Sequence, residues 1–238
     1  MNDPFGRKID YLRISVTDRC NLRCRYCMPE GGVQLTAHEE LLSFEEIAAV
    51  VRCARELGIK KVRLTGGEPL VRRGLATLVE MLADLDLEDL ALSTNGTLLR
   101  RFARSLKAAG LGRVNVSLDT LDPGRFGWLT RGGRLDEALE GIEAALAVGL
   151  QPVKLNAVVI EGVNDDELSS LARFALERGL IIRFIELMPM GEAHRNLGLA
   201  YANLEAIQEE LIEKLRLKPA QPLLGSGPAR YFRPHDGQ

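Results

Sequence analysis

Glycines at the joints of a repeating pattern constrain this fold more than any other feature of the chain. Leu57-Gly58-Ile59, Ala109-Gly110-Leu111, Val148-Gly149-Leu150 and Arg178-Gly179-Leu180 each put a glycine at the end of a helically periodic segment, just before an apolar strand-like run. Glycine suits the left-handed residue that closes a helix, so the four triplets mark helix-to-strand junctions of one kind. The strand-like runs are Tyr11–Val16, Val62–Thr65, Leu90–Thr94, Arg113–Leu118, Val153–Ile160 and Ile181–Leu187, and each is followed by helical periodicity. Helix starts are marked too: Ser43 and Glu46 have capping-box spacing, and Asn164-Asp165-Asp166 supplies acidic residues to a first turn. Six β/α units in series demand parallel strands joined by right-handed crossovers, either in an open doubly wound sheet or in a barrel.

Polar residues inside the strands favour the barrel. Arg13, Arg63 and Lys154 each interrupt an apolar run, as do Thr94, Asn115, Ser117 and Asn156. A parallel strand covered by helices cannot hold an unpaired charge in its interior. Turned into the lumen of a curved sheet, these side chains would line one cavity whose cations suit a polyanion; alternatively they pair with internal acids such as Asp119 or Glu186, or lie exposed at strand ends. The expected architecture is a partial (β/α)6 TIM-type barrel over residues 1–218, with 219–238 beginning a further region.

Composition removes several classes of function. A chain of 238 residues that is 46% hydrophobic can bury a single large core. Lys and Arg total 31 against 33 Asp and Glu, and no long basic run points to nucleic acid or an anionic membrane. The N-terminal residues lack an apolar signal segment, and no apolar run approaches bilayer length, so the expected location is cytoplasmic. That compartment keeps thiols reduced and available to metals.

Three of the four cysteines, Cys20, Cys24 and Cys27, lie in C-x3-C-x2-C spacing just after the first strand. Three thiolates on one short loop can face one centre but leave one coordination position open, which suggests chemistry at a soft metal. A zinc knuckle completed by a distant ligand, or three unrelated thiols, stays open on spacing alone. Cys53, within Val50-Val51-Arg52-Cys53-Ala54, reads as a small core residue of a helix. After the second strand, Gly66-Gly67-Glu68-Pro69 allows close backbone approach to a ligand and offers Glu68 to an ammonium group.

The cysteine spacing with Tyr26, together with Gly66-Gly67-Glu68-Pro69, resembles the radical S-adenosylmethionine (SAM) superfamily. Longer segments are similar to the GTP 3′,8-cyclase family of molybdenum-cofactor biosynthesis: Leu12 to Cys24, Arg63 to Pro69, Ser93 to Gly96, Val153 to Asn156, Gly162 to Glu167 and Ile185 to Gly191. The resemblance implies a [4Fe-4S] cluster held by Cys20, Cys24 and Cys27, with SAM on the fourth iron. It implies SAM contacts at Tyr26, Gly67, Glu68, Ser117 and Met188, and GTP contacts at Arg13, Arg63, Thr94 and Lys154. It also implies an external electron donor, and leaves a homodimer among the expected assemblies. Members of that family continue past a segment like Gly227 to Arg233 into a second cysteine set, whose cluster holds the guanine of GTP. This sequence ends at Gln238 without one, so the expectation is reductive SAM cleavage with little cyclised nucleotide.

Overall fold

The computed structural model describes residues 3–189, 200–221 and 229–235. Met190 and Gly191 of the segment after the sixth strand, and Leu223, Leu224, Gly227 and Pro228 near the C-terminus, lie outside the described residues. Six strands run parallel in sequence order: β1 (Tyr11–Ser15), β2 (Lys61–Thr65), β3 (Asp89–Thr94), β4 (Arg113–Ser117), β5 (Lys154–Glu161) and β6 (Ile181–Glu186). The connecting helices are α1 (Phe44–Glu56), α2 (Leu75–Ala83), α3 (Leu99–Ala108), α4 (Pro123–Thr130), α5 (Leu135–Ala147) and α6 (Leu168–Glu177). Sequential order with a helix at every crossover is the topology of a partial TIM-type barrel. Two helices fill the β4–β5 connection, where the sequence pattern suggested one. Arg131, in left-handed backbone at φ 55°, ends α4 and turns the chain into α5.

The glycine-marked helix ends have one geometry. Gly58, Gly110, Gly149 and Gly179 all have positive φ, and the next residue's N–H reaches back five residues, as from Ile59 to Ala54 O at 3.0 Å and from Leu180 to Ala175 O at 2.8 Å. These are Schellman closures, which satisfy carbonyls the helix leaves free and aim the chain at the next strand. The Ser43 capping box forms as expected, with both reciprocal bonds made. Beyond β6, β7 (Ala200–Tyr201) pairs antiparallel with the end of β5, α7 (Leu204–Leu215) packs beside α6, and β8 (Leu217–Ala220) forms an antiparallel pair with β9 (Tyr231–Pro234).

Alternation along the strands sorts the two faces of the sheet. Leu12, Ile14, Val62, Leu64, Leu90, Leu92, Val114, Val116, Leu155 and Ala157 point to the helices and form the core with α1 to α6. Their neighbours Arg13, Arg63, Arg113, Asn115, Lys154, Asn156 and Arg183 point the other way. Cys53 corrects the sequence reading: it lies exposed on α1, whose buried residues are Ile47, Ala48 and Val51. No helix among the described residues is long and apolar enough to cross a membrane.

Candidate functional site

The cysteine loop follows β1 at the carboxyl end of the sheet and is held from two sides. On one side Gly67 N donates to Thr17 O at 2.7 Å and Glu68 N to Arg19 O at 2.8 Å. On the other, Arg23 N donates to Thr130 O at 3.1 Å and Arg25 N to Leu129 O at 2.9 Å, which ties the loop to the end of α4. A Cβ on Gly66 would stand 2.5 Å from Thr17 O, and one on Gly67 2.3 Å from Arg19 O, so only glycine permits this approach.

Cys20, Cys24 and Cys27 are free thiols. Burial raises the pKa of all three, most of all Cys24, and Asp119, Cys27 and Cys20 push Cys24 further by their negative charge. Their mutual electrostatic influence puts the sulfurs in one neighbourhood. A cationic metal centre reverses this penalty, because a coordinated thiol is deprotonated outright. A four-iron cube takes its thiolates at separate corners, and these three cysteines can supply three of them. The donor set therefore fits an iron–sulfur cluster with one iron left open.

The SAM-associated residues from the sequence converge on this mouth. Gly67, Ser117 and Met188 stand exposed just past or at the ends of β2, β4 and β6, so successive alternate strands present them around the cysteine loop. Tyr26 gives its hydroxyl to Asp119 Oδ2 at 2.7 Å, while Asp119 Oδ1 accepts from Val158 N at 2.9 Å. Burial raises Asp119 to about 6, and these two bonds act against the rise. Asn164, fully buried, donates to Asp119 O and Val158 O and accepts from Ile160 N, which stitches the end of β4 to β5. Asp119 and Asn164 are site supports that sequence reasoning missed, because the links of Asp119 to Tyr26 and to Asn164 are distant in the chain.

Glu68 and Thr94 sit differently from the sequence expectation. The Glu68 carboxylate is 1% exposed and accepts from Leu70 N at 3.1 Å, Thr94 Oγ1 at 2.7 Å and Asn95 N at 2.7 Å. It braces the β2 loop against the end of β3, and three of its roughly four acceptor positions are taken. Thr94 lies on the helix-facing side, in register with Val116, and its hydroxyl also accepts from Gly96 N at 3.1 Å. The expected lumen position therefore does not hold for Thr94.

Arg13, Arg63 and Lys154 do share the inner face, and Arg113 and Arg183 join them. Arg13 is in register with Arg63, Asn115 with Lys154, and Asn156 with Arg183. Asp89 takes a two-pronged bond from this set, from Arg113 Nε at 2.8 Å and Nη2 at 2.6 Å. Asn115 Oδ1 accepts from Arg113 and, at 3.3 Å, from Arg183. Arg63 lies over the Tyr11 ring at 5.2 Å, and its Nε, the Arg183 Nε, the Asn156 Oδ1 and the Tyr11 hydroxyl are buried without a hydrogen-bond partner. Neither suggested internal acid neutralises the group, since Asp119 is bonded to Tyr26 and Glu186 is exposed at the end of β6. Buried donors of like charge with no partner cost free energy that an anion would recover.

The same crowding lowers two arginines and one lysine. Burial, then repulsion from Arg113, Arg183 and Arg63, brings Lys154 down to about 8. Its folded pKa is below the ordinary lysine value, so the unfolded chain binds more protons between about 8 and the usual 10.5, and the unliganded fold gains stability as pH rises through that window. An anion beside Lys154 must raise its pKa again. Binding of a polyphosphate anion such as tripolyphosphate at pH 8 to 9 is therefore expected to take up protons, and calorimetry in buffers of different ionisation heat should show a positive proton count that vanishes in Lys154→Met.

Residues 14–175 match the radical SAM superfamily. The chain is 54% identical to the GTP 3′,8-cyclase of Heliobacterium modesticaldum over 97% of its own length and 71% of that protein. It is 49% identical to the GTP 3′,8-cyclase of Petrotoga mobilis over 98% of its length and 72% of that protein. Among solved structures it resembles Streptococcus suis SuiB bound to S-adenosylmethionine, with a TM-score of 0.70 and 19% identity over 87% of this chain and 44% of that one. It also resembles methylornithine synthase (PylB), with a TM-score of 0.65 and 17% identity over 85% and 62% of the two chains. These two likenesses concern the fold.

Proposed function

The chain belongs to the radical SAM superfamily and, within it, to the GTP 3′,8-cyclase family, and on that footing we propose that it cleaves SAM reductively and directs the radical at the ribose of GTP. It is an enzyme of molybdenum-cofactor biosynthesis whose cofactors are a [4Fe-4S] cluster and SAM. The observation that carries the finer reading is the joint placement of three neighbouring thiols at the sheet mouth and, on the inner face below it, the buried Arg63 and Arg183 Nε donors that have no hydrogen-bond partner.

Cys20, Cys24 and Cys27 would hold three corners of the cluster, with Gly66 and Gly67 keeping the loop's backbone in place. Bound there, the cluster would supply the single electron needed to cleave SAM to methionine and a 5′-deoxyadenosyl radical, the species that would take the 3′ hydrogen of GTP. The exposed edge at Gly67, Ser117 and Met188 seats SAM, and Tyr26, fixed by Asp119, bounds that seat from the loop side. Glu68 and Thr94 act by holding the shape of this rim, and the last free acceptor position of Glu68 is what remains for an ammonium group. Arg13, Arg63 and Lys154, with Arg113 and Arg183, hold the triphosphate, arginine being suited to phosphate oxygens in pairs. Fixing the phosphates on the strands keeps the ribose below the mouth, and alignment of that kind supplies much of the rate in such reactions.

Deuterium transfer tests this reading. GTP carrying deuterium at the 3′ carbon, supplied anaerobically with SAM and dithionite, should give 5′-deoxyadenosine one mass unit heavier. Unlabelled 5′-deoxyadenosine at every nucleotide concentration would show that the inner face does not present GTP to the radical.

A further inference from the structure

The three cluster thiols are not equivalent, and the difference lies in what donates to their sulfurs. Cys20 Sγ accepts from Leu22 N at 3.4 Å and from Asn95 Nδ2 at 4.0 Å, whereas neither Cys24 nor Cys27 has a donor on its sulfur among the described residues. The contact from Asn95 is long, yet its direction is fixed. Backbone N–H of Thr97 can only donate, and it meets Asn95 Oδ1 at 3.1 Å, which leaves the amide nitrogen turned toward Cys20. A ring of three side chains locks that orientation: Asn95 Nδ2 donates to Asn21 Oδ1 at 2.9 Å, Asn21 Nδ2 to Thr97 Oγ1 at 2.9 Å, and Thr97 Oγ1 to Asn95 Oδ1 at 2.8 Å. Each member gives one bond and takes one, so none can rotate without breaking two. One hydrogen of Asn95 Nδ2 is used in the ring, and the second is the one on the sulfur. The main chain of Asn95 is held as well, by its N–H on the buried Glu68.

We propose that Asn95 is a positioning residue that sets the reduction potential of the cluster through Cys20; the inference rests on the iron–sulfur reading above. An N–H aimed at a coordinating sulfur stabilises added negative charge, and hydrogen bonds to the sulfurs are among the terms that fix cluster potentials. The wild-type arrangement thus makes the cluster easier to reduce by one electron. Asn21 and Thr97 contribute by holding the amide, without touching the sulfur themselves.

The test is a redox titration of the anaerobically reconstituted chain, without SAM, read by EPR and paired with iron analysis. At a potential where wild type is half reduced, Asn95→Ala is expected to show about a tenfold lower ratio of reduced to oxidised cluster, with iron content unchanged. Thr97→Val, which opens the ring but keeps the amide, should move the same way by less, and it reads the effect if Asn95→Ala holds no iron. Superposed titration curves at full iron content overturn the inference, as does loss of iron in both variants, which would mean a purely structural role. Wild-type protein that binds zinc in place of iron fails the cluster reading itself, an outcome seen before any variant is titrated.

Discussion

Cys24→Ala is expected to abolish cluster assembly altogether, leaving a folded, colourless protein. Among the three thiols Cys24 carries the greatest electrostatic penalty when ionised without metal, because burial acts together with Asp119 and the two other cysteines. With two thiolates left, a cube loses one of its three protein-held corners. The fold should survive, because the loop is held by backbone bonds to Thr17, Arg19, Leu129 and Thr130 that do not involve the side chain. Trimming one half-buried thiol to a methyl group costs about 1 kcal/mol or so. Iron analysis, the broad visible absorption and the reduced EPR signal with and without SAM read the outcome, alongside circular dichroism. Retention of a full cluster in this variant, or stoichiometric zinc in the wild-type protein, would defeat the assignment of the loop.

Lys154→Ala should weaken GTP binding by about 10- to 100-fold, the equivalent of roughly 1.5 to 3 kcal/mol for a charge-assisted contact in a partly enclosed site. The chain should stay folded, since burial and the neighbouring Arg113, Arg183 and Arg63 all act against the charge on Lys154. That pairing of results separates an anion pocket from an internal salt link, for which loss of the lysine would leave a buried charge uncompensated and unfold the chain. Equilibrium binding of GTP and thermal denaturation of the same samples decide it. Unchanged affinity in a folded Lys154→Ala protein would place the triphosphate elsewhere.

Most of the architecture is legible in the sequence because local signals agree. Strand limits differ from the apolar runs by a residue or so at each end, and the four glycine closures fall where the triplets place them. Pattern reading failed where a period was not carried through. Alternation in β3 already puts Thr94 on the side of Leu90 and Leu92, which is where it lies. Helical spacing from Ile47, Ala48 and Val51 passes over Cys53 in the same way. Arg183 breaks Ile181-Ile182 from Phe184-Ile185 just as Lys154 separates Val153 from Leu155 in the sequence, so that signal was present. Arg113 begins its strand and reads as a boundary residue, although its side chain is buried against Asp89. By contrast the links from Tyr26 to Asp119 and from Asn164 to Asp119 span 93 and 45 positions and have no local signature. Only the closure of β1 through β6 into one curved sheet brings those residues together.

The thiol loop hangs from β1, and among the described residues β1 has a single neighbour in the sheet, β2. A strand flanked on one side can detach without disturbing the ladders from β2 to β6, so its opening free energy should lie well below that of global unfolding. Amide exchange would then divide the molecule into two cooperative units, a fast one running from Tyr11 through the loop and a slow one centred on β3, β4 and β5. Gly67 and Glu68 bond across that seam to Thr17 and Arg19, so their protons should exchange with the fast unit even though they follow β2. Cluster incorporation adds a fastener to the weakly held unit alone, because anything that binds the closed form shifts that local equilibrium by mass action. Protection of Val16, Gly67 and Glu68 on iron loading, against little change in β4, is the pattern this edge location implies.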